Sequence, residues 1–240
     1  MSSDKTPAPT TGEAVAPSRS SAGQIASFLK QARRLDPASS GRLIFSLDAT
    51  MSRQPTWDRA CEIQASMFDA VAKVGGLAVQ LVYFRGFGEC RASRWVMNAA
   101  ALRDLMVGID CRGGRTQIAK VLSHAVRETS GHKVDALVYI GDAMEENPDR
   151  LCHLAGELAL KGTRAFVFQE GDDPVAERAF REMARLSGGA WFRLGPGSAA
   201  ELAELLGAIA VYASGGRPAL ESRGGRGATL LLERMSGRGS

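Results

Sequence analysis

The sequence predicts an α/β protein: a doubly wound, mostly parallel six-stranded sheet with one antiparallel edge strand and helices on both faces. Three observations predict it. Short apolar runs such as RLIFSLD, LAVQLVYF and TRAFVFQ alternate with amphipathic stretches of helical period. The runs are almost continuously apolar, as strands covered on both faces must be. One segment, GFGECRASRWV, instead follows a glycine turn and alternates weakly, which suits a strand returning along the edge.

Each element follows in order. Residues 1–21 are rich in Ser, Thr, Pro and Ala without apolar periodicity and are expected to be a disordered tail. Over 22–36, Ile25, Phe28, Leu29, Ala32 and Leu35 recur at steps of three and four before Pro37. That is an amphipathic helix, which packs on the domain or serves as a docking peptide. The domain proper spans 42–213. It opens with a strand at 42–48, bounded by Gly41 and a polar loop. A helix follows at 55–74, with Pro55 placed in its first turn. A strand at 77–84 leads into the returning strand at 86–96 and a short helix over NAAALRDLMVGI.

The stretch GGRTQIAKVLSHAVRETS opens the next helix near Thr116. DALVYIGD (135–142) is a buried strand, 148–162 a helix, and 163–169 a strand. PVAERAFREMARLSGG is a helix ending in a glycine pair. AWFRL (190–194) is the last strand, and 198–213 the last helix. Residues 214–240 read as a flexible Gly/Arg-rich tail. The apolar patch 228–235 within it either folds back or forms a short partner-binding helix.

Composition narrows the function. With 45% hydrophobic and 23% charged residues, 240 residues suffice for a globular core. No apolar run nears the ~20 residues of a membrane span. The first residues lack the apolar centre of a secretory signal, so a cytoplasmic protein without membrane partners is expected. Cys61, Cys90, Cys111 and Cys152 form no CxxC pair and suit free thiols.

The net charge of +4 comes from the ends. Residues 1–41 carry five Lys/Arg against three Asp/Glu, and 214–240 five against two. The span 42–213 carries 20 basic and 21 acidic residues. No basic stripe is therefore expected on the folded part, and no nucleic acid as partner.

In a doubly wound sheet, ligands bind outside the carboxyl ends of the strands. Three segments meet there. DATMS ends the first strand and offers Asp48, Thr50 and Ser52 at alternate positions. Thr116 follows Gly113-Gly114, and Asp142 ends the DALVYI strand. Two carboxylates and three hydroxyls form a hard-oxygen set, suited to Mg²⁺ or Mn²⁺ rather than zinc. Each residue alone also fits a turn or a helix cap. Their coincidence at one edge favours a metal site.

This set resembles the von Willebrand factor type A domain and its metal-ion-dependent adhesion site, Asp-x-Ser-x-Ser with a distant Thr and a distant Asp. Here the pattern stands as Asp48-Ala-Thr50-Met-Ser52, Thr116 and Asp142. Thr50 replaces the usual Ser. Asp142 sits in GDAMEE, without the usual following glycine, where Glu145 or Glu146 can approach. The resemblance implies a protein partner whose Asp or Glu completes the ion's octahedron. From bacterial members of the family, the resemblance implies AAA+ ATPase complexes or metal-insertion machinery as such partners.

Around the site, Arg53, Arg85, Arg112, Arg115 and Glu145 are expected as a partner-binding rim. The chemistry favours binding over catalysis. Neutral hydroxyl ligands leave the ion electrophilic, so it attracts an external carboxylate. Two alternatives remain: a metal-dependent hydrolase using the same ion, and a metal-free scaffold acting through its tails. Neither a GK[ST] P-loop nor a GxSxG elbow is present.

Overall fold

The computed structural model describes residues 40–50, 54–71, 75–195 and 197–237. The expected tail at 1–21 and helix at 22–36 lie outside the described residues.

The chain runs β1 (Gly41–Asp48), α1 (Gln54–Ile63), α2 (Ala65–Val71), β2 (Leu77–Arg85), β3 (Glu89–Val96), α3 (Ala99–Val107), α4 (Ile118–Gly131), β4 (Ala136–Gly141), α5 (Pro148–Leu160), β5 (Arg164–Glu170), α6 (Pro174–Ser187), β6 (Ala190–Leu194), α7 (Ala199–Arg223) and α8 (Arg226–Met235). The six strands form one sheet in the order β3-β2-β1-β4-β5-β6. All neighbours are parallel except β2 and β3, whose antiparallel register includes Phe84↔Cys90 and Arg85↔Glu89. The edge strand is thus where the sequence places it.

Two-residue alternation splits the strand side chains between two cores. Leu43, Phe45 and Leu47 of β1 pack with Val138 and Ile140 of β4 on one face, against helices that include α7. Ile44 joins Val82, Phe84, Leu137 and Tyr139 on the other face, under α4, α5 and α6. Both faces are covered, so the strands can be apolar at every position.

Three sequence expectations change. The helix at 55–74 is two pieces, α1 and α2: the turn tightens at Gln64, where Met67 N donates to the Gln64 carbonyl. Helix α4 begins at Ile118 rather than near Thr116, because Gln117 keeps a non-helical backbone (φ −137°, ψ 41°).

The third change concerns the tail. Residues 214–240 are not a flexible tail over their described part: α7 continues to Arg223 and α8 follows. Leu220, Ala228 and Leu231 are buried in the same core as β1, which offsets the cost of ordering the segment. Its glycines serve geometry rather than mobility. Gly216 breaks α7 at φ 68°, and Pro218 enters the resumed helix with its φ already set. Gly227 lies so close to α7 that a Cβ there would sit 2.7 Å from the Glu204 carbonyl oxygen.

Strand order reverses between β1 and β4, whose register runs from Leu43↔Ala136 to Leu47↔Ile140. This is the switch point of the sheet. The carboxyl ends of β1 and β4 lie side by side there, bringing Asp48 and Asp142 to neighbouring positions.

Candidate metal centre

Three loops build the site. The first leaves β1 through Ala49 and Thr50, the second joins α3 to α4, and the third joins β4 to α5. They enclose an open cavity of about 230 Å³ lined by Asp48, Thr50, Gly113, Gly114, Thr116, Asp142, Ala143 and Glu145.

Backbone contacts fix the loops to each other. Ala49 N donates to the Phe84 carbonyl at 2.9 Å, and Arg112 N to the Ala49 carbonyl at 3.0 Å. Arg115 N donates to the Gly86 carbonyl at 3.1 Å. This lays the second loop against the β2–β3 turn so closely that a Cβ on Gly114 would lie 2.2 Å from the Gly86 oxygen. Gly114 is therefore required by space at the Gly86 turn. Gln117 Nε2 donates to the Arg85 and Gly86 carbonyls, and Lys120 Nζ to the Gly88 carbonyl, tying α4 to the same turn.

Within this frame Asp48 is buried, and its Oδ1 accepts the Thr50 N–H at 2.8 Å. Thr116 is buried too. Its hydroxyl accepts the Glu145 N–H at 3.1 Å, while its own N–H donates to the Glu145 carboxylate at 3.2 Å. A hydroxyl oxygen has two lone pairs, so the Glu145 contact leaves acceptor capacity on Thr116. Glu146 takes the next amides: its carboxylate accepts from Ile118 N and, at 3.0 Å, from Ala119 N. Helix α4 has no side-chain cap of its own, so Glu146 caps it from the third loop.

The sequence-expected residues are thus sorted. Asp48, Thr50, Thr116 and Asp142 share the cavity lining. Glu145, expected on the rim, lines the cavity itself and braces Thr116. Ser52 and Arg53 lie outside the described residues. Arg112 and Arg115 are exposed beside Gly113-Gly114, as a rim requires. Arg85 is turned to another task. Its guanidinium donates to the Glu89 carboxylate and to the Asp110 carbonyl, bracing the hairpin, and the Glu89 hydrogen bond raises its pKa. Sequence reasoning missed Glu146 as a cap. The signal was the adjacent Glu pair three residues after Asp142, opposite a helix start without Ser, Thr, Asp or Asn at its N-cap.

The lining fits a hard cation. Three carboxylates and two hydroxyls line one open space, and no Lys, Arg or His is among the described lining residues. Oxygen donors of this kind suit a divalent cation. Among the described residues no cluster of three or more His, Cys, Asp or Glu side chains is arranged to hold a metal by itself. Any ion there would depend on the hydroxyls as well.

No protein-family model matches the sequence, and no curated protein matches it. Solved structures do. The VWA domain of SpRpn10 superposes with a TM-score of 0.56 at 10% identity, covering 69% of this chain and 94% of that one. An aerotolerance-related membrane protein from Bacteroides fragilis gives 0.53 at 14% identity over 82% and 98%. Proximal thread matrix protein 1 from the mussel byssus, solved with a zinc-occupied MIDAS motif, gives 0.56 at 15% over 78% of this chain and 51% of that one. The fold is that of a von Willebrand factor type A domain. In this fold the antiparallel edge strand matches the expectation drawn from sequence. At these identities the likeness concerns fold, and the site rests on the chain's own residues.

Proposed function

We propose that this A-type domain is a metal-dependent protein-interaction module of the cytoplasm. Asp48, Thr50, Ser52, Thr116 and Asp142 hold a Mg²⁺ or Mn²⁺ ion at the switch point. The ion supplies an electrophilic coordination position that a partner's Asp or Glu side chain fills. The observation that carries this reading is the gathering of oxygen donors: Asp48, Thr50, Thr116, Asp142 and Glu145 line one cavity at the switch point. Carboxylates and hydroxyls brought together in this way suit a divalent cation.

The chain's residues divide the work. Asp48 and Asp142 bring charge from adjacent strand ends. Thr50 and Thr116 bring neutral oxygens, which leave the ion's charge largely unspent for the partner. The Thr50 N–H holds the Asp48 carboxylate in place. Glu145 holds Thr116 through two hydrogen bonds. Arg112 and Arg115, exposed beside the cavity, raise the rate at which an acidic partner arrives. An acidic surface on an AAA+ ATPase complex is the partner class we assign. No helix among the described residues is long and apolar enough to cross a membrane.

The test is capture of partners by the full chain in Mg²⁺, in EDTA, and by Asp48→Ala in Mg²⁺. Partners retained in Mg²⁺ and lost in the other two arms support the reading. Equal capture in all three overturns it.

A further inference from the structure

A second cavity, of about 310 Å³, opens between the edge strand β3 and helices α4 and α5. It shares no lining residue with the metal cavity. Its charge is opposite. Arg91 comes from β3, Lys120 and Arg127 from α4, and Arg150 from the first turn of α5, and no carboxylate is among the lining residues.

Helical spacing explains the grouping. Lys120, Ser123 and Arg127 follow at steps of three and four, so they share a face of α4, while Val121, Leu122 and Ala125 are buried in the core. Some surface arginines elsewhere are paired with carboxylates, Arg181 with Glu177, Arg185 with Glu182 and Arg217 with Glu221; others, such as Arg103 and Arg178, form no ion pair among the described residues. Of the basic residues that line the cavity, Arg91 meets Glu89, which is not among the described lining residues, and Lys120 Nζ donates to the Gly88 carbonyl and Gln117 Oε1. Arg127 and Arg150 form no ion pair among the described residues. Arg127 and Arg150, both exposed and one from each helix, thus line a concave space that no described carboxylate lines.

The rest of the lining is neutral. Val82 is buried in the floor, and burial pushes the Cys90 thiol up, keeping it protonated. His124 Nε2 lies 2.8 Å from Gln80 Oε1, and the Gln80 amide nitrogen donates to the Ser93 carbonyl. That orientation places the His124 proton on Nε2, and burial lowers the ring's pKa, so it stands as a neutral wall.

We propose that this cavity is a binding site for a small phosphate monoester. Arg127 and Arg150 grip the phosphate, because planar guanidinium groups match its oxygens in pairs. Ser123 offers a hydroxyl donor, and the organic part of the ester rests on Val82 and Ala92. The volume leaves room for more than a bare ion: it is at the small end of the range of about 300–1,000 Å³ for organic ligands.

The test is calorimetric titration of the full chain in EDTA with inorganic phosphate, phosphoserine and AMP, using serine and adenosine as uncharged counterparts. The expected result is saturable binding of at least one ester, tighter than inorganic phosphate, with the counterparts silent. Arg127→Gln and Arg150→Gln should each weaken it about tenfold to a hundredfold, the loss of one charge-assisted contact. Asp48→Ala and the double variant Arg181→Gln/Arg185→Gln should leave it intact, and melting temperatures confirm that all variants fold. No binding of any probe up to about 10 mM, where affinity is already negligible, overturns the site. So does binding that persists in folded Arg127→Gln and Arg150→Gln. Inorganic phosphate binding as tightly as both esters overturns the ester assignment.

Discussion

Replacing Glu146 tests how the site is assembled, because its carboxylate is the cap that α4 lacks in its own sequence. It accepts the Ile118 and Ala119 N–H groups across a separation of 28 and 27 residues. Losing a side-chain cap costs about 0.5–2 kcal/mol, and losing a negative charge at a helix N-terminus about 0.3–1 kcal/mol more. Glu146 is half-buried, so water replaces part of what is lost. Glu146→Ala should therefore cost about 2 kcal/mol. Glu146→Gln, which keeps one acceptor oxygen but no charge, should cost about 1 kcal/mol. For a domain of this size, 1 kcal/mol shifts the melting temperature by about 2–4 °C, giving drops of about 4–8 °C and 2–4 °C. The assay is differential scanning calorimetry in EDTA, so that ion binding does not enter. Amide exchange at Ile118 and Ala119 should quicken in both variants. A melting temperature for Glu146→Ala within about 1 °C of wild type, inside the effect of a neutral surface change, would refute the capping argument.

Three further outcomes are expected. Mg²⁺ or Mn²⁺ should raise the melting temperature by native-state binding, worth about 2.7 kcal/mol at a hundredfold excess over Kd; a rise that survives in Asp48→Ala places the ion elsewhere. Thr116→Val keeps shape but removes the oxygen that accepts the Glu145 N–H, so it should weaken partner capture about tenfold or more; capture equal to wild type by a folded variant removes the metal-bridged mechanism. Gly114→Ala forces a Cβ onto the Gly86 carbonyl and should cost at least about 1–3 kcal/mol, as overpacking does, whereas Gly113, with nothing within 4 Å of an added Cβ, should accept Ala with little change in thermal denaturation.

The sheet was legible because burial on both faces leaves a plain trace. Five parallel strands need apolar side chains at nearly every position, and the sixth, at the edge, does not. Asp48, Thr50, Thr116 and Asp142 were legible for a related reason: in this topology the ends of particular strands must meet, so their side chains could be grouped before any coordinates. After 214 only the apolar patch at 228–235 was legible, as one of two readings: it folds back on the core through Ala228 and Leu231. Glycine and arginine there suggested flexibility by composition. Yet Gly216 and Gly227 are needed where a helix breaks and where two helices nearly touch. Composition counts glycines, whereas packing uses each at one place.

The contacts that hold the site together escaped for a deeper reason. Asp48 accepts Thr50 N–H from its own loop, a local pattern that sequence can suggest. Thr116 with Glu145, and Glu146 with the start of α4, join loops nearly thirty residues apart. Nothing periodic marks such pairs. Physically they answer one problem. Carboxylates gathered in one cavity repel each other by about 1 kcal/mol per pair at 4 Å in water, and by about 4 kcal/mol where the effective dielectric is near 20. Backbone N–H groups soften that repulsion without cancelling the charge: Thr50 N serves Asp48, and Thr116 N serves Glu145. The α4 amides draw Glu146 aside altogether. The cavity thus keeps its shape through backbone donors, which hold the Asp48 and Glu145 carboxylates in place without neutralising them. Arg85, which sits nearby, is spent on Glu89 and Asp110 and is not among the described lining residues.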